Sequence, residues 1–530
     1  MMQRKIFIAG AIILGLSAAS CNKFLDETSK TKLDLDQVYS DSTLVETSLE
    51  GVYANWKNLR ADEQGLIMMM GNDETQQGAY QMKSDPVKGG FDRYDANLNS
   101  ALPQIANQWN LRWPLINEAA RIVQGLSKTN PTAGSHAGQL LGEASFIRGF
   151  LDFETAMYWG EIPICDLDRI SELGTRRQPL KDVWEFIIAD LQRAADMIPQ
   201  GSSATPVPGR ATYGAAWAML GKAYMSAPVS TGLRDFTKAA ACFEKMKALY
   251  SLNTQYSALW DYNTPNTNES IFEFQYNTTN PNNNKLEFQI GSRAVQGYFG
   301  DGCYYSGYDK LVPTKYAYSS VDSGGIWETG DQRRFEGIRY DFTYYGVKPD
   351  YKNVLWENLG DTAKGDYDEL MPHIKKYEDF RTDKHSGLSI NNMWNSGKNI
   401  PVLRLADVIL SYAECLNEIG RTADAITQVN IVRARAWGGT LPGDKQWKAM
   451  SQDVFRTAIL DERMRELFAE NWRRIDLIRT GKFVELIKAR NKWAGQTGKV
   501  SASNMVFPIP DTEIKLNPDI APSDQNPGYN

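Results

Sequence analysis

Residues 217–243 read WAMLGKAYMSAPVSTGLRDFTKAAACF. Trp217-x2-Leu220-Gly221-x2-Tyr224 has the spacing of the first helix of a tetratricopeptide repeat, and Ala239-x3-Phe243 that of the second. Small residues, Gly221 and Ala239, fall where two paired helices cross; Trp217, Tyr224 and Phe243 fill the groove between them. The linker between the halves is about six residues longer than in a standard repeat. A fainter echo lies at 402–437, where Ala413, Gly420, Ala425 and Val429 take similar places. Two such pairs predict a mainly α, helical-repeat scaffold.

Outward from this centre, helical periodicity continues. Segment 41–59 spaces Leu44, Val45, Leu49, Val52, Tyr53 and Trp56 by threes and fours. Segments 107–127, 139–159 and 180–198 behave alike, the last opened by Pro179. Helix is expected again over 401–437 and 451–489. The middle differs: residues 261–285 hold eight asparagines and read as loop, with IFEFQY (271–276) as a strand. Residues 298–345 carry thirteen aromatics in 48 positions among many glycines, a turn-rich stretch without helical period. The expected layout is therefore one domain over 41–530. Its helical scaffold covers about 41–255 and 400–490, an irregular insertion about 256–399, and an irregular tail 491–530.

The first 21 residues, MMQRKIFIAGAIILGLSAASC, place Arg4 and Lys5 before an apolar run from Ile6 to Leu16, then small residues and Cys21. This pattern predicts a signal peptide over 1–20, and its cysteine resembles the lipidated residue of a bacterial lipobox. Ala18 stands where leucine is usual. Ordinary cleavage that leaves Cys21 unmodified is the alternative. Residues 21–40 then form the lipidated Cys and polar tether. The chain of 530 residues carries net charge −6, which becomes −8 once Arg4 and Lys5 are removed. That acidity argues against a general nucleic-acid binder. Cys165, Cys242, Cys303 and Cys415 are scattered without metal or disulfide spacing, so buried thiols are expected.

The chemistry-bearing residues are few. Three histidines, His136, His373 and His385, show no zinc spacing, and His373 and His385 are expected on the surface. The charged run 459–482 is expected to be one helix laced with ion pairs that fix the scaffold, not a catalytic acid pair. Asp361, Asp366, Asp368 and Glu369, like Asp34 and Asp36, fit no calcium loop and read as solvated acids. No catalytic motif, metal set or cofactor loop is recognisable. The aromatic insertion is the stronger lead, because flat sugar faces stack on rings while their hydroxyls seek polar neighbours. Tyr304, Tyr305 and Trp327 are expected there as ligand contacts, with Trp394 in NNMWNSG beside them. The polar segment 71–95 offers Asp73, Gln77 and Arg93 as partners for hydroxyls.

Five segments in order also resemble the SusD/RagB family of Bacteroidetes outer-membrane lipoproteins. They are CNKFLDET (21–28), EASFIRGFLDFETAMYWGEIPIC (143–165), IPVLRLADVILSYAECLNEIGR (400–421), ILDERMRELFAENWRRIDLIRTGK (459–482) and FPIPDTEIKLNPDIAPSDQNPGY (507–529). Asn471-Trp472-Arg473-Arg474 departs from the Gly and Arg-aromatic usual there. The resemblance implies a SusD-like fold: a tetratricopeptide-like scaffold with an irregular ligand face. It further implies a lipoprotein that is no enzyme, needs no cofactor, sits at the cell surface and passes a glycan to a SusC-like TonB-dependent β-barrel transporter. Peptide capture, as in the RagB branch, and a surface glycosidase are the alternatives.

Overall fold

The computed structural model describes residues 38–39, 41–291, 295–298, 307–340, 342–344, 371–379 and 396–529. Its longer helices are α1 (Ser42–Trp56), α2 (Pro103–Lys128), α3 (His136–Trp159), α4 (Leu180–Met197), α5 (Tyr213–Ser226) and α6 (Phe236–Lys247). After the insertion come α7 (Leu405–Glu418), α8 (Thr422–Ala436), α9 (Gln452–Leu467), α10 (Arg473–Arg479) and α11 (Phe483–Arg490). Local chemistry starts several of them. Ser135, Thr212 and Asp235 each accept a backbone N–H of the first turn of α3, α5 and α6, and Pro103 opens α2.

Successive helices stack: α2 on α3, α3 on α4, α4 on α5, α5 on α6. The stack then continues from α6 directly to α7, α7 packing on α8 and α9, although the whole insertion intervenes in sequence. The expected repeat pair is α5–α6. A methyl group at Gly221 would lie 2.6 Å from the Phe243 ring, so the small residue sets the crossing distance. The α7–α8 pair is the fainter repeat.

Short antiparallel strands tie the insertion down. They are β1 (Thr75–Gln76), β2 (Ser270–Phe274), β3 (Val295–Tyr298), β4 (Val312–Pro313), β5 (Ile338–Arg339), β6 (Phe342–Tyr344), β7 (His373–Ile374) and β8 (Ile400–Arg404). β2 pairs with β8 and closes the base of the insertion, Ser270 opposite Arg404. β1 pairs with β4, β3 with β6, and β5 with β7. One hydrophobic core runs from Val45 to Ile509 and takes in insertion residues such as Leu311, Trp327 and Tyr377. Trp56 sits at an aromatic centre, edge-on to Phe150 and Phe274 at 5.3 Å.

The charged run 459–482 fixes the scaffold by ion pairs, as expected, but it is not one helix. α9 stops at Leu467 and α10 starts at Arg473; between them Ala469 and Asn471 take left-handed backbone angles. Its ions are buried. Arg333 donates to Glu462 at 2.8 Å and Glu466 at 3.1 Å, and Arg433 to Glu462 at 2.8 Å. Arg404 reaches Glu466, Glu470 and Glu269, and Arg435 joins Glu466 to Glu269. Burial alone would raise the Glu462 carboxyl, but Arg333, Arg433 and Arg465 more than offset it and hold it at about 2.

His373 departs from the surface expectation: it is buried, its Nε2 2.7 Å from Asp309. His385, Cys303 and the acids at 34–36 and 361–369 lie outside the described residues. Cys165, Cys242 and Cys415 are free and buried. No helix among the described residues is long and apolar enough to cross a membrane.

Candidate functional site

The segment 71–95 was expected to present polar side chains to a ligand. Most of them are turned inward. Asp73 is fully buried, its carboxylate gripped by Arg473 from α10 at 2.6 and 2.7 Å and by Arg490 from α11 at 3.0 Å. Burial works against the charge, but the two guanidinium groups hold the Asp73 carboxyl below the usual range. Glu74 has no such partner among the described residues. Burial pushes it up to about 8, Arg473 pulling the other way, and its Oε1 accepts Ala469 N–H at 3.3 Å.

Asp92 closes the segment on itself. It accepts Gly71 N–H at 3.2 Å, Gln77 N–H at 2.8 Å and the Asn491 amide at 2.7 Å, and burial lifts it to about 6 against those donors. Gln77 is buried, its carbonyl accepting the Trp493 indole N–H at 2.7 Å. Gln76 Oε1 accepts Lys492 N–H. Half-buried Arg93 spends its guanidinium on Asp95 at 2.6 Å, the Pro86 carbonyl and the Met82 sulfur. Asp73 and Gln77 therefore anchor the segment to the carboxyl-terminal helices and are corrected as side chains facing a ligand, whereas Arg93 holds the segment to itself and stays partly exposed.

Trp327 is corrected as well. Its side chain is 1% exposed, and its indole N–H donates to the Ala317 carbonyl at 2.6 Å. The neighbouring glycines make a tight turn that tucks the ring inward: Gly324 has φ +76, and a methyl at Gly325 would meet the Ser319 carbonyl. Tyr304, Tyr305, Trp394 and Cys21 lie outside the described residues.

What the anchored segment does expose is tyrosine. Tyr80, on the short helix Ala79–Ser84, is 47% exposed, and Tyr308 is 39% exposed. The Gln81 amide donates to the Tyr308 carbonyl, which ties the short helix that carries Tyr80 to the backbone of Tyr308. The β1–β4 pairing brings the two segments together, and backbone bonds from Tyr308 N–H to Phe288 and from Lys310 N–H to Gln289, each 3.0 Å, seat the second ring. Phe288 meets the Tyr308 ring edge-on at 4.4 Å, and the Lys310 ammonium lies 5.2 Å from its centre. Lys310 in turn pairs with Glu63 at 3.1 Å. Around Tyr308 the structure thus gathers a flat apolar ring, the Gln81 amide, the Lys310 cation and the Glu63 carboxylate. Tyr80 was missed in the sequence. Its signal, an aromatic between glycine, alanine and glutamine, is the one that singled out Tyr304 and Tyr305.

A stacked-helix scaffold with an irregular insertion and exposed tyrosines defines a class, the helical-repeat proteins. Two family models match this chain. One described as SusD family matches residues 268–529, and one described as starch-binding associating with outer membrane matches residues 23–225. A SusD-like protein of Formosa agariphila is 25% identical, the alignment covering 98% of each chain. Among solved structures, a laminarin-binding SusD-like protein superposes with a TM-score of 0.71 at 21% identity, over 92% of this chain and 99% of that one. Surface glycan-binding protein A of Bacteroides thetaiotaomicron, in complex with laminarihexaose, gives 0.70 at 16% identity, over 91% and 98%. The chain is a SusD-like protein, and its tetratricopeptide-like scaffold is the SusD-like fold.

Proposed function

We propose that the protein captures a glycan, an oligo- or polysaccharide, at the cell surface and passes it to a SusC-like TonB-dependent transporter. The observation that carries this reading is a pair of exposed rings, Tyr80 and Tyr308, on two segments tied together by the Gln81 hydrogen bond, with Lys310 beside the Tyr308 ring. Sugar rings stack their C–H faces on tyrosine, and their hydroxyls exchange bonds to water for bonds to the amide and the charges. Each such hydrogen bond gains only about 0.5–1.5 kcal/mol. The expected affinity is micromolar to millimolar, on the order of −4 to −8 kcal/mol. Such weak binding suits a protein that releases its cargo to a barrel. The family description, starch-binding and associated with the outer membrane, and the laminarin-binding neighbours support glycan as the ligand class.

Binding proceeds without turnover in this reading. Glu462 and Glu466 of α9 are spent on buried arginines, which leaves them unsuited to proton transfer at a surface patch. Tyr304, Tyr305 and Trp394 remain proposed ligand contacts. Acylation of Cys21 is proposed as the anchor in the outer membrane.

Calorimetry against laminarin, starch and other oligosaccharides tests the reading, with a peptide pool as the alternative ligand. Tyr80→Ala and Tyr308→Ala should each weaken binding about tenfold, or ~1.4 kcal/mol. Binding of the peptide pool alone, or wild-type affinity in both variants, overturns it. A mild-detergent pulldown that returns no barrel overturns the transporter partnership, and Cys21→Ala retained in membranes without a partner overturns the anchor.

A further inference from the structure

The long linker between α5 and α6 has a use that the glycan face does not absorb. It places Arg234 at a cleft of about 220 Å³ bordered by α6, α7, α9 and α10. Two carboxylates line this cleft, and each has its own arginine. Glu414 takes both terminal nitrogens of Arg479. Glu418 takes Arg456 Nε at 2.7 Å and a terminal nitrogen at 2.8 Å. Arg234 is left over. Its Nε donates to the Ala227 carbonyl at 2.7 Å, and its two terminal nitrogens have no hydrogen-bond or ion-pair partner among the described residues. Burial and the nearby Arg479 both lower its proton affinity, with Glu414 and Glu418 opposing them. A partly desolvated cation without a counterion is an unfavourable arrangement that an incoming anion relieves.

The shape of the donor set narrows the anion. The open edge of a guanidinium presents two parallel N–H groups, which match a planar carboxylate. The hydroxyls that would help enclose a tetrahedral anion are turned away: Thr480 donates to the Asp476 carbonyl at 2.7 Å and Thr457 to the Asp453 carbonyl at 3.4 Å. Phe236 and Ile459 supply apolar wall. We infer that this cleft binds a single carboxylate carried on an apolar stem, with the terminal nitrogens of Arg234 as its bidentate partner. Arg177, the superficially similar cation at the carboxyl-terminal tail, does not qualify. Its nitrogens are taken by the carbonyls of Glu161, Asp524 and Trp159 and by the Asn526 amide oxygen.

The test uses the full mature chain and 4-fluorophenylacetate, followed by fluorine NMR. Millimolar, saturable binding is expected, with about tenfold loss in Arg234→Gln, wild-type behaviour in Arg177→Gln, and no binding of the neutral 4-fluorophenylacetamide. A parallel arm replaces the small acid with an acetylated Leu-Glu-Leu amide and its Leu-Gln-Leu counterpart. Preference for the glutamate peptide over the small acid identifies an acidic side chain as the source, and the reverse a free organic acid. If Arg234→Gln melts early, Arg234→Lys decides, since it keeps the charge and loses the fork: weakened binding supports the assignment. Absence of wild-type binding, equal binding of the amide, or wild-type affinity in Arg234→Lys and Arg234→Gln overturns the inference. Glycan affinity is measured alongside and is expected to stay unchanged, so the outcome is separable from that of the tyrosine patch.

Discussion

Glu466→Gln is the sharpest probe of how this fold is held. The Glu466 carboxylate accepts from Arg333 at 3.1 Å and from Arg404 and Arg435, and all four side chains are essentially inaccessible. The amide keeps the volume, so packing is unchanged. It removes the charge that balances three guanidinium groups and turns an N–H₂ toward one of them. Breaking a buried ion pair by removing one partner costs about 3–5 kcal/mol. Unfolding entropy of roughly 2 cal/mol/K per residue gives about 1 kcal/mol per kelvin for a chain of this size. The midpoint should therefore fall by about 3–5 K in calorimetric scans at fixed rate. Glu172→Gln, whose partner Arg169 is exposed, should leave the midpoint where it was. The acid limb offers a second reading. Burial opposes ionisation of Glu466, yet Arg435, Arg404 and Arg333 hold its folded carboxyl well below the unfolded value. Its contribution is thus present above about pH 4.3 and lost as pH falls toward the folded value. Glu466→Gln should flatten that limb. A midpoint within about 1 K of wild type, or an equal loss in Glu172→Gln, would refute the reasoning.

Three further outcomes follow from the geometry. Glu74 has a raised folded value of about 8, so its neutral form suits the fold and stability is lost as pH rises through about 8; Glu74→Gln should melt above wild type at pH 9 and match it at pH 4 in a thermal series. Gly221→Ala forces a methyl to 2.6 Å from Phe243 and should cost about 1–3 kcal/mol in denaturant unfolding, with glycan affinity retained. Trp327→Ala should cost about 3–5 kcal/mol of stability and leave glycan affinity at the wild-type value, which is the pattern of a core ring and the reverse of that expected for Tyr80→Ala.

The scaffold is legible because its signals are local. Trp217, Gly221 and Phe243 lie within one helical pair, and a 3.6-residue period shows which faces are buried. The irregular face was read less well because its decisive contacts are distant in sequence. Asp73 looks like a ligand-facing acid until Arg473 and Arg490, about 400 residues on, are seen to claim it. Trp327 beside two glycines resembles an exposed loop ring; the glycines serve the turn that buries it. His373 lies in a stretch that soon turns polar at Lys375 and Lys376, yet its partner Asp309 is 64 residues away. The break between α9 and α10 was invisible because the charge period runs straight through Ala469 and Asn471, whose left-handed angles no glycine announces.

The inward turn of the 71–95 side chains has a consequence for binding. Its two-residue strand supplies little backbone ladder, so side chains must set its shape. Asp73, Asp92, Asn491 and Trp493 do so, and Arg473 links the segment to α10, which the Asp476–Arg463 pair joins to α9. Fixing one residue's backbone costs about 1–2 kcal/mol. A ligand whose whole binding energy is on the order of −4 to −8 kcal/mol has too little to order even a short loop and still bind. A weak-binding face must therefore be rigid before the ligand arrives. Asp73, which sequence offered as a ligand contact, and Asp92 meet that need from within the segment, while Tyr80 and Tyr308 stand exposed at the surface.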